Sequence, residues 1–301
     1  GKYLEITERQ FEISQEDLKS DKYNQKIVKD MIYAENVRLD GGGNSAVLGM
    51  VNKFDSQNVL FEKLKDNDDF LKFVNHNIDS SIKTEYVVTT FHEATRGMTD
   101  KQVQDYIAKQ EIWNAVDLWS STSGDSDPKA VAMQMAAKEL FSTGETSHFS
   151  KNFERGDVSP RAKEVLEKES AYNPGRKAFL QAQYDATQDY LKKNNINEVV
   201  VYRGQEGKKS KLPEGKSVDV DMQPLSSFSL SMQDAVSFAN PTDDYLGQVK
   251  SPSVVASIVP ASRVFAMPNT GIGCTGEHEV VLLGGKMKAT VATGISHLRS
   301  T

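Results

Sequence analysis

The run Val199-Val200-Val201-Tyr202-Arg203-Gly204 decides how the chain reads. Three β-branched residues in succession favour an extended strand, because a branched Cβ is crowded in a helix and packs well on a pleated surface. The strand closes on a permanently charged arginine and a glycine. Two further signals follow it in order. One is a serine cluster, Leu225-Ser226-Ser227-Phe228-Ser229-Leu230-Ser231, and the other a strand that opens on alternating acids, Glu277-His278-Glu279-Val280-Val281-Leu282-Leu283. Strand-like runs also cover residues 254–259, 263–267 and 286–292. The second half of the chain is therefore expected to be β-rich.

Upstream the pattern is helical. A helix is plausible over residues 16–33, and Asp40-Gly41-Gly42-Gly43-Asn44 reads as a turn, since no strand and no Lys-Ser/Thr pair surrounds it as a phosphate loop requires. Val59, Leu60, Leu64, Phe70, Leu71 and Phe73 fit one or two short amphipathic helices. Thr99-Asp100-Lys101-Gln102 has the form of a capping box, with Gln102 placed to reach back to the cap residue's amide. Behind it Val103, Tyr106, Ile107, Trp113, Val116 and Trp119 have a mostly helical spacing, expected as a buried seam in which aromatic side chains supply area, with a Trp-lined binding face as the alternative. Pro128 starts another helix with an Ala-Met-Gln-Met-Ala-Ala centre, and Ser159-Pro160 a further one. Asn173-Pro174-Gly175 reads as a break. A long helix then runs to about Lys193, with Phe179, Ala182, Ala186 and Tyr190 on one face, until Asn194-Asn195 stops it. Residues 142–157 are polar and glycine-containing, so the expected division is a mainly helical region over 1–150 and a second domain over 151–301.

At 301 residues and 38% hydrophobic content, the chain is long enough for one large core or two modest ones. A net charge of −6 disfavours a broad surface tracking duplex nucleic acid. The lone Cys274 excludes an internal disulfide and a multi-cysteine zinc site, and the five histidines include no His-x-x-x-His pair, so no metal is expected. No apolar run approaches the ~20 residues that span a bilayer, so no membrane partner is expected. Gly1-Lys2-Tyr3-Leu4-Glu5 lacks the apolar core of a secretory signal, which makes the cytoplasm the expected compartment.

Each of the three signals has a bland reading and a chemical one. Arg203 carries a rigid fork of donors that matches phosphate oxygens, and Gly204 beside it leaves room for a bulky anion; a strand-end arginine in solvent has the same sequence. In an extended segment Ser227 and Ser229 project together while Phe228 points away, although serine runs are also common in loops. Ala235, Val236, Phe238 and Ala239 read as a short helix seated on the sheet. Glu277 and Glu279 share one side of their strand with His278 opposite, and the apolar residues that follow carry the strand straight into a core. Acids at the mouth of a buried strand suit the edge of a cleft. The glycine-rich stretch 268–276 before them is suited to a mobile loop.

Taken in this order, the motifs resemble the Arg–Ser–Glu class of mono-ADP-ribosyltransferases. Val201-Tyr202-Arg203-Gly204 is similar to the family's arginine strand, Ser227-Phe228-Ser229 stands where its Ser-Thr-Ser motif lies, and Glu277-His278-Glu279 matches its Glu-x-Glu motif. Thr270 to Glu277 further resembles phage-associated and toxin-like members. The resemblance covers about residues 178–292, and Phe228 departs from it where threonine or serine is common. It implies an α+β fold with a split β-sheet, and an enzyme that transfers ADP-ribose from NAD and releases nicotinamide. Arg203, Gly204, Ser227, Ser229 and Phe238 would bind NAD. Catalysis would fall to Glu279 with Arg203 and Ser227, Glu279 stabilising the positive charge on the ribose. Glu277 would act on the acceptor, which for a glutamate at that position is a protein arginine. A nucleobase acceptor steered by Lys208, Lys209, Lys211 and Lys216, an NAD glycohydrolase, and a binding module on a dead transferase fold are the alternatives.

Overall fold

A helix packed on a sheet needs one apolar stripe and two clean ends, and residues 173–193 have both. In the computed structural model, which describes residues 58–81, 93–121, 128–141, 160–205, 216–220, 222–230, 235, 253–267, 270, 279–285 and 287–294, five long helices precede the strands. They are α1 (Asp68–Ser81), α2 (Asp100–Ser121), α3 (Pro128–Phe141), α4 (Pro160–Glu169) and α5 (Asn173–Lys193). A shorter helical segment covers residues 58–64. The expected capping box forms at the start of α2: the Thr99 amide donates to Gln102 Oε1 at 2.9 Å, and the Gln102 amide to Thr99 Oγ1 at 3.2 Å. The α5 helix ends where Asn195 takes a left-handed φ of 55°, a conformation asparagine tolerates better than most residues.

The Asn173-Pro174-Gly175 triplet corrects the expectation of a break. A single 3₁₀ turn (Ser170–Tyr172) follows α4, and the triplet forms the first turn of α5, with proline at a position whose amide needs no helical acceptor. Gly175 is buried against α1: a Cβ there would collide with the Asp69 carbonyl oxygen and the Phe73 Cβ. The glycine is present for helix–helix approach.

The strands are β1 (Glu198–Gln205), β2 (Ser217–Asp219), β3 (Leu225–Ser229), β4 (Ser253–Pro260), β5 (Val264–Ala266), β6 (Glu279–Leu283) and β7 (Lys288–Gly294). They form one sheet in the order β2-β7-β4-β1-β3-β6-β5, with antiparallel pairing throughout, so the fold class is α+β. The three-residue strands β2 and β5 form the two edges, which limits edge-to-edge association. β2 itself carries no strong strand signal in the sequence.

The pairing is uneven at the centre. β1 matches β4 over eight residue pairs, and β3 matches β6 over five, but β1 meets β3 at the single pair Tyr202↔Ser229. The sheet therefore divides there into a four-stranded and a three-stranded half. Val199, Val201, Val255 and Val291 of one half share an apolar cluster with Phe228, Val264, Val280 and Leu282 of the other, so the halves fold toward each other. The opposite face of the three-stranded half, with Leu225, Phe265 and Val281, packs on the helices through Phe70, Phe73, Ile112, Met133, Phe179 and Leu180. Residues on both sides of position 150 thus share this core, while the stretch expected as a boundary and the helix expected at 16–33 lie outside the described residues. Trp113 and Trp119 fall on α2, and their side chains lie outside the description. No helix among the described residues is long and apolar enough to cross a membrane.

A polar staple fixes the corner between α4 and α5. Arg176, 1% exposed, donates to the Glu169 carboxylate and to the Glu169 carbonyl oxygen at 2.8 Å, and its guanidinium lies 4.9 Å from the Phe73 ring centroid. His76 of α1 reaches the same carboxylate with Nε2 at 3.0 Å and stacks on Tyr172 at 3.7 Å. Burial opposes the charge on Glu169, but the hydrogen bonds from His76 and Arg176 and the Arg176 charge together outweigh it. The carboxyl is held below its ordinary value of 4.5.

A carboxyl with a depressed folded pKa contributes stability above its unfolded pKa and loses it as pH falls through the folded one. The melting temperature of the protein is therefore expected to drop as pH falls below 4.5, and Glu169→Gln should flatten that part of the curve. Parallel curves for parent and variant through the acid range would remove Glu169 from the acid response. Gly175→Ala is expected to lose about 1–3 kcal/mol by overpacking the α1–α5 crossing. An unchanged urea midpoint would mean the helices part at no cost.

Candidate active-site cleft

The sheet's fork makes a cleft. Tyr202, Arg203 and Gly204 of β1, Ser227, Phe228 and Ser229 of β3, Glu279 of β6 and the helical residue Ala235 line it, around a volume of about 160 Å³. An apolar cavity of about 150 Å³ holds a benzene ring, so the described part of the cleft admits one ring-sized group and not a whole dinucleotide.

Strand alternation explains how the side chains are distributed. Glu279 of β6 is paired with Ser229 of β3, and Ser227 lies two residues along on the same face, the diagonal position within reach of a long side chain. Ser227 Oγ donates to Glu279 Oε1. Glu279 is only 7% exposed, and a carboxylate at that depth needs donors. Ser227 is exposed and Ser229 buried, so the two serines line one cleft at different depths.

Arg203 comes from the other face. Extended in register from Tyr202↔Ser229, it stands opposite Phe228, and its guanidinium carbon lies 5.3 Å from the Phe228 ring centroid. Phe228, expected to point away, does belong to the cluster between the half-sheets, yet it also lines the cleft and gives the arginine an aromatic surface. In an unbroken sheet Arg203 and Glu279 would lie on opposite sides. The fork lets both line one space.

The approach to Glu279 is anchored by α5. Gln183 Nε2 donates to the Thr270 carbonyl oxygen at 2.7 Å, and the Thr187 and Thr270 hydroxyls lie 2.9 Å apart, in a buried group that also receives the Met267 amide on Thr270 Oγ1 at 2.8 Å. Glu277, Phe238 and Lys208, Lys209 and Lys211 lie outside the described residues. Lys216 is exposed just before β2.

Of the expected site residues, the structure brings together Arg203, Gly204, Ser227, Ser229 and Glu279. Tyr202 and Ala235 line the cleft without having been singled out. Gln134 of α3 was missed altogether: it bonds both peptide groups of Leu225 at the start of β3. A lone amide inside an Ala-Met run was the available signal, because a buried amide must be satisfied.

Chemically, the cleft offers a permanent cation suited to phosphate or another anion, and an enclosed carboxylate suited to developing positive charge. No protein-family model, curated protein or solved structure matches the chain.

The Ser227–Glu279 contact is open to a direct check. A hydrogen bond to a charged group is worth about 1.5–3 kcal/mol, so urea unfolding of Ser227→Ala, Glu279→Gln and the double variant is expected to show coupling of that order. Additive losses would mean that the two side chains act independently.

Proposed function

We propose that the protein is a mono-ADP-ribosyltransferase that uses NAD as substrate and a protein arginine as acceptor. The observation that carries this reading is the meeting of Arg203, Ser227 and Glu279, from three different strands, at one cleft, with Ser227 hydrogen-bonded to Glu279. On the same reading, the forked sheet is the split β-sheet of that family, and the cytoplasm, its own or a target cell's, is where NAD is met.

The residues present fit the substrate. Arg203 supplies a bidentate donor for the NAD phosphates, and the ring-sized cleft suits the nicotinamide ring. Glu279, oriented by Ser227, would accept the ribose 2′-hydroxyl hydrogen bond and stabilise positive charge at C1′ as its bond to the nicotinamide nitrogen breaks. The bonding electron pair leaves with nicotinamide, whose ring nitrogen is cationic in NAD, so the leaving group needs no acid. The comparable glycosidase transition state uses two carboxylates, one of them to protonate the leaving oxygen. Glu277 is then left for the acceptor: it would take the proton that the incoming nitrogen loses as its bond to C1′ forms.

Glu279→Ala is expected to abolish nicotinamide release and transfer alike; turnover of NAD at the parental rate would sink the reading. Glu277→Gln separates the two jobs. General-base assistance is worth about two to four orders of magnitude, so this variant should retain NAD hydrolysis by water and lose most acceptor labelling, measured by mass spectrometry of protein and RNA after incubation with labelled NAD. Equal loss of both activities would put Glu277 in the NAD-cleaving machinery. Label found on RNA and not on protein would move the acceptor to a nucleobase.

A further inference from the structure

We propose that Gln134 is a positioning residue that holds β1 and β3 apart, and so keeps open the cleft between Arg203–Gly204 and Ser227–Phe228. Its effect on NAD binding rests on the function proposed above; its effect on the fork does not.

Gln134 lies on α3 and is 2% exposed. Its Nε2 donates to the Leu225 carbonyl oxygen at 2.9 Å, and the Leu225 amide donates to its Oε1 at 2.8 Å. A primary amide offers one donor side and one acceptor side, as a peptide group does. The side chain therefore stands where a neighbouring strand residue would stand.

The ladder shows what it replaces. In an antiparallel sheet, alternate residues of a strand direct both peptide groups to one neighbour and the residues between them to the other. Leu225 is paired with Leu283 of β6, but its peptide groups bond to Gln134, away from β6. Ser227 and Ser229, in steps of two, face the same way. Those of Ser229 face Tyr202 of β1 at the bridge. Those of Ser227, between the bridge and Gln134, face the cleft.

Continuing β1 in register from Tyr202↔Ser229 would set Gly204 opposite Ser227, and the two would exchange both peptide hydrogen bonds. That ladder would close the cleft, and the next residue of β3 to be engaged on this edge would be Leu225. Gln134 already occupies Leu225, so a running ladder could gain only the isolated Gly204–Ser227 pair and no continuation beyond it. The wedge comes from a helix far from the cleft in sequence, and it reaches the strand that carries Ser227.

The test compares the parent chain with Gln134→Leu, which is similar in size but bonds neither group, and with Gln134→Glu, which keeps the acceptor for the Leu225 amide and loses the donor. Amide hydrogen exchange at Gly204 and Ser227 reads the fork, and calorimetry with NAD, well below the melting temperature, reads the cleft. In Gln134→Leu both amides are expected to slow by about tenfold or more and the NAD Kd to rise by about tenfold or more, the scale of one peptide hydrogen bond gained. Gln134→Glu should fall between, and it carries the same two readouts if Gln134→Leu does not fold. A folded variant whose Gly204 and Ser227 amides exchange as in the parent overturns the proposal, whatever its melting temperature, since a role confined to core stability would move only the latter. A parent that fails to bind NAD overturns the proposed function instead, and leaves the exchange measurement decisive for Gln134.

Discussion

Tyr202 and Ser229 are the one residue pair through which β1 and β3 meet among the described residues, and the geometry of the cleft follows from that single pairing. A sheet that stayed zipped would bury its peptide groups in a ladder and leave no space between Gly204 and Ser227. A sheet that separated completely would lose the register that sets Arg203 beside Phe228. One bridge holds both halves in register and lets them diverge immediately beyond it. The cost is a set of peptide groups on β3 that no strand among the described residues pairs with, and buried peptide groups left unmade are expensive. Gln134 satisfies those of Leu225 from the helical side.

The helical layer therefore does more than cover the sheet. α5 also touches it with an apolar face and with amides: Gln188 Nε2 donates to the carbonyl oxygens of Ala261 and Val264 at 2.9 and 2.8 Å, and Gln183 and Thr187 hold Thr270. These bonds fix the turn into β5 and the residue from which the chain sets out toward β6 and Glu279. α1 is in turn held to the α4–α5 corner by the Arg176–Glu169–His76 staple and by the approach that Gly175 permits. Rigid support of this kind suits a site whose acid must be held in position, because a carboxylate that wanders loses the advantage of preorganisation.

Much of this was legible in the chain. β-branched runs marked β1, β4 and β6, the capping box marked the start of α2, and Asn194-Asn195 marked the end of α5, each because a local backbone preference or a local hydrogen bond is enough to decide it. Ser227 and Glu279 could be named as candidate site residues from motif order, and their shared cleft follows from pairing that a strand's two-residue period makes natural. The start of α5 was misread because proline and glycine together punctuate loops in most sequences; here proline begins the helix and glycine admits a neighbouring one.

The sequence by itself determined most of the described helices and strands, β2 excepted, and which side chains carry charge or a hydroxyl, since those depend on residues a few positions apart. It could not determine that Arg203 and Glu279 would share a space. Alternation alone sends them to opposite faces, and only the divergence of β1 from β3 turns two faces into one cleft. Nor could it connect Gln134 with Leu225, which are 91 residues apart. That bond exists because the helices pack on the outer face of the three-stranded half, and such packing is settled by the burial of whole surfaces, not by any local run of residues.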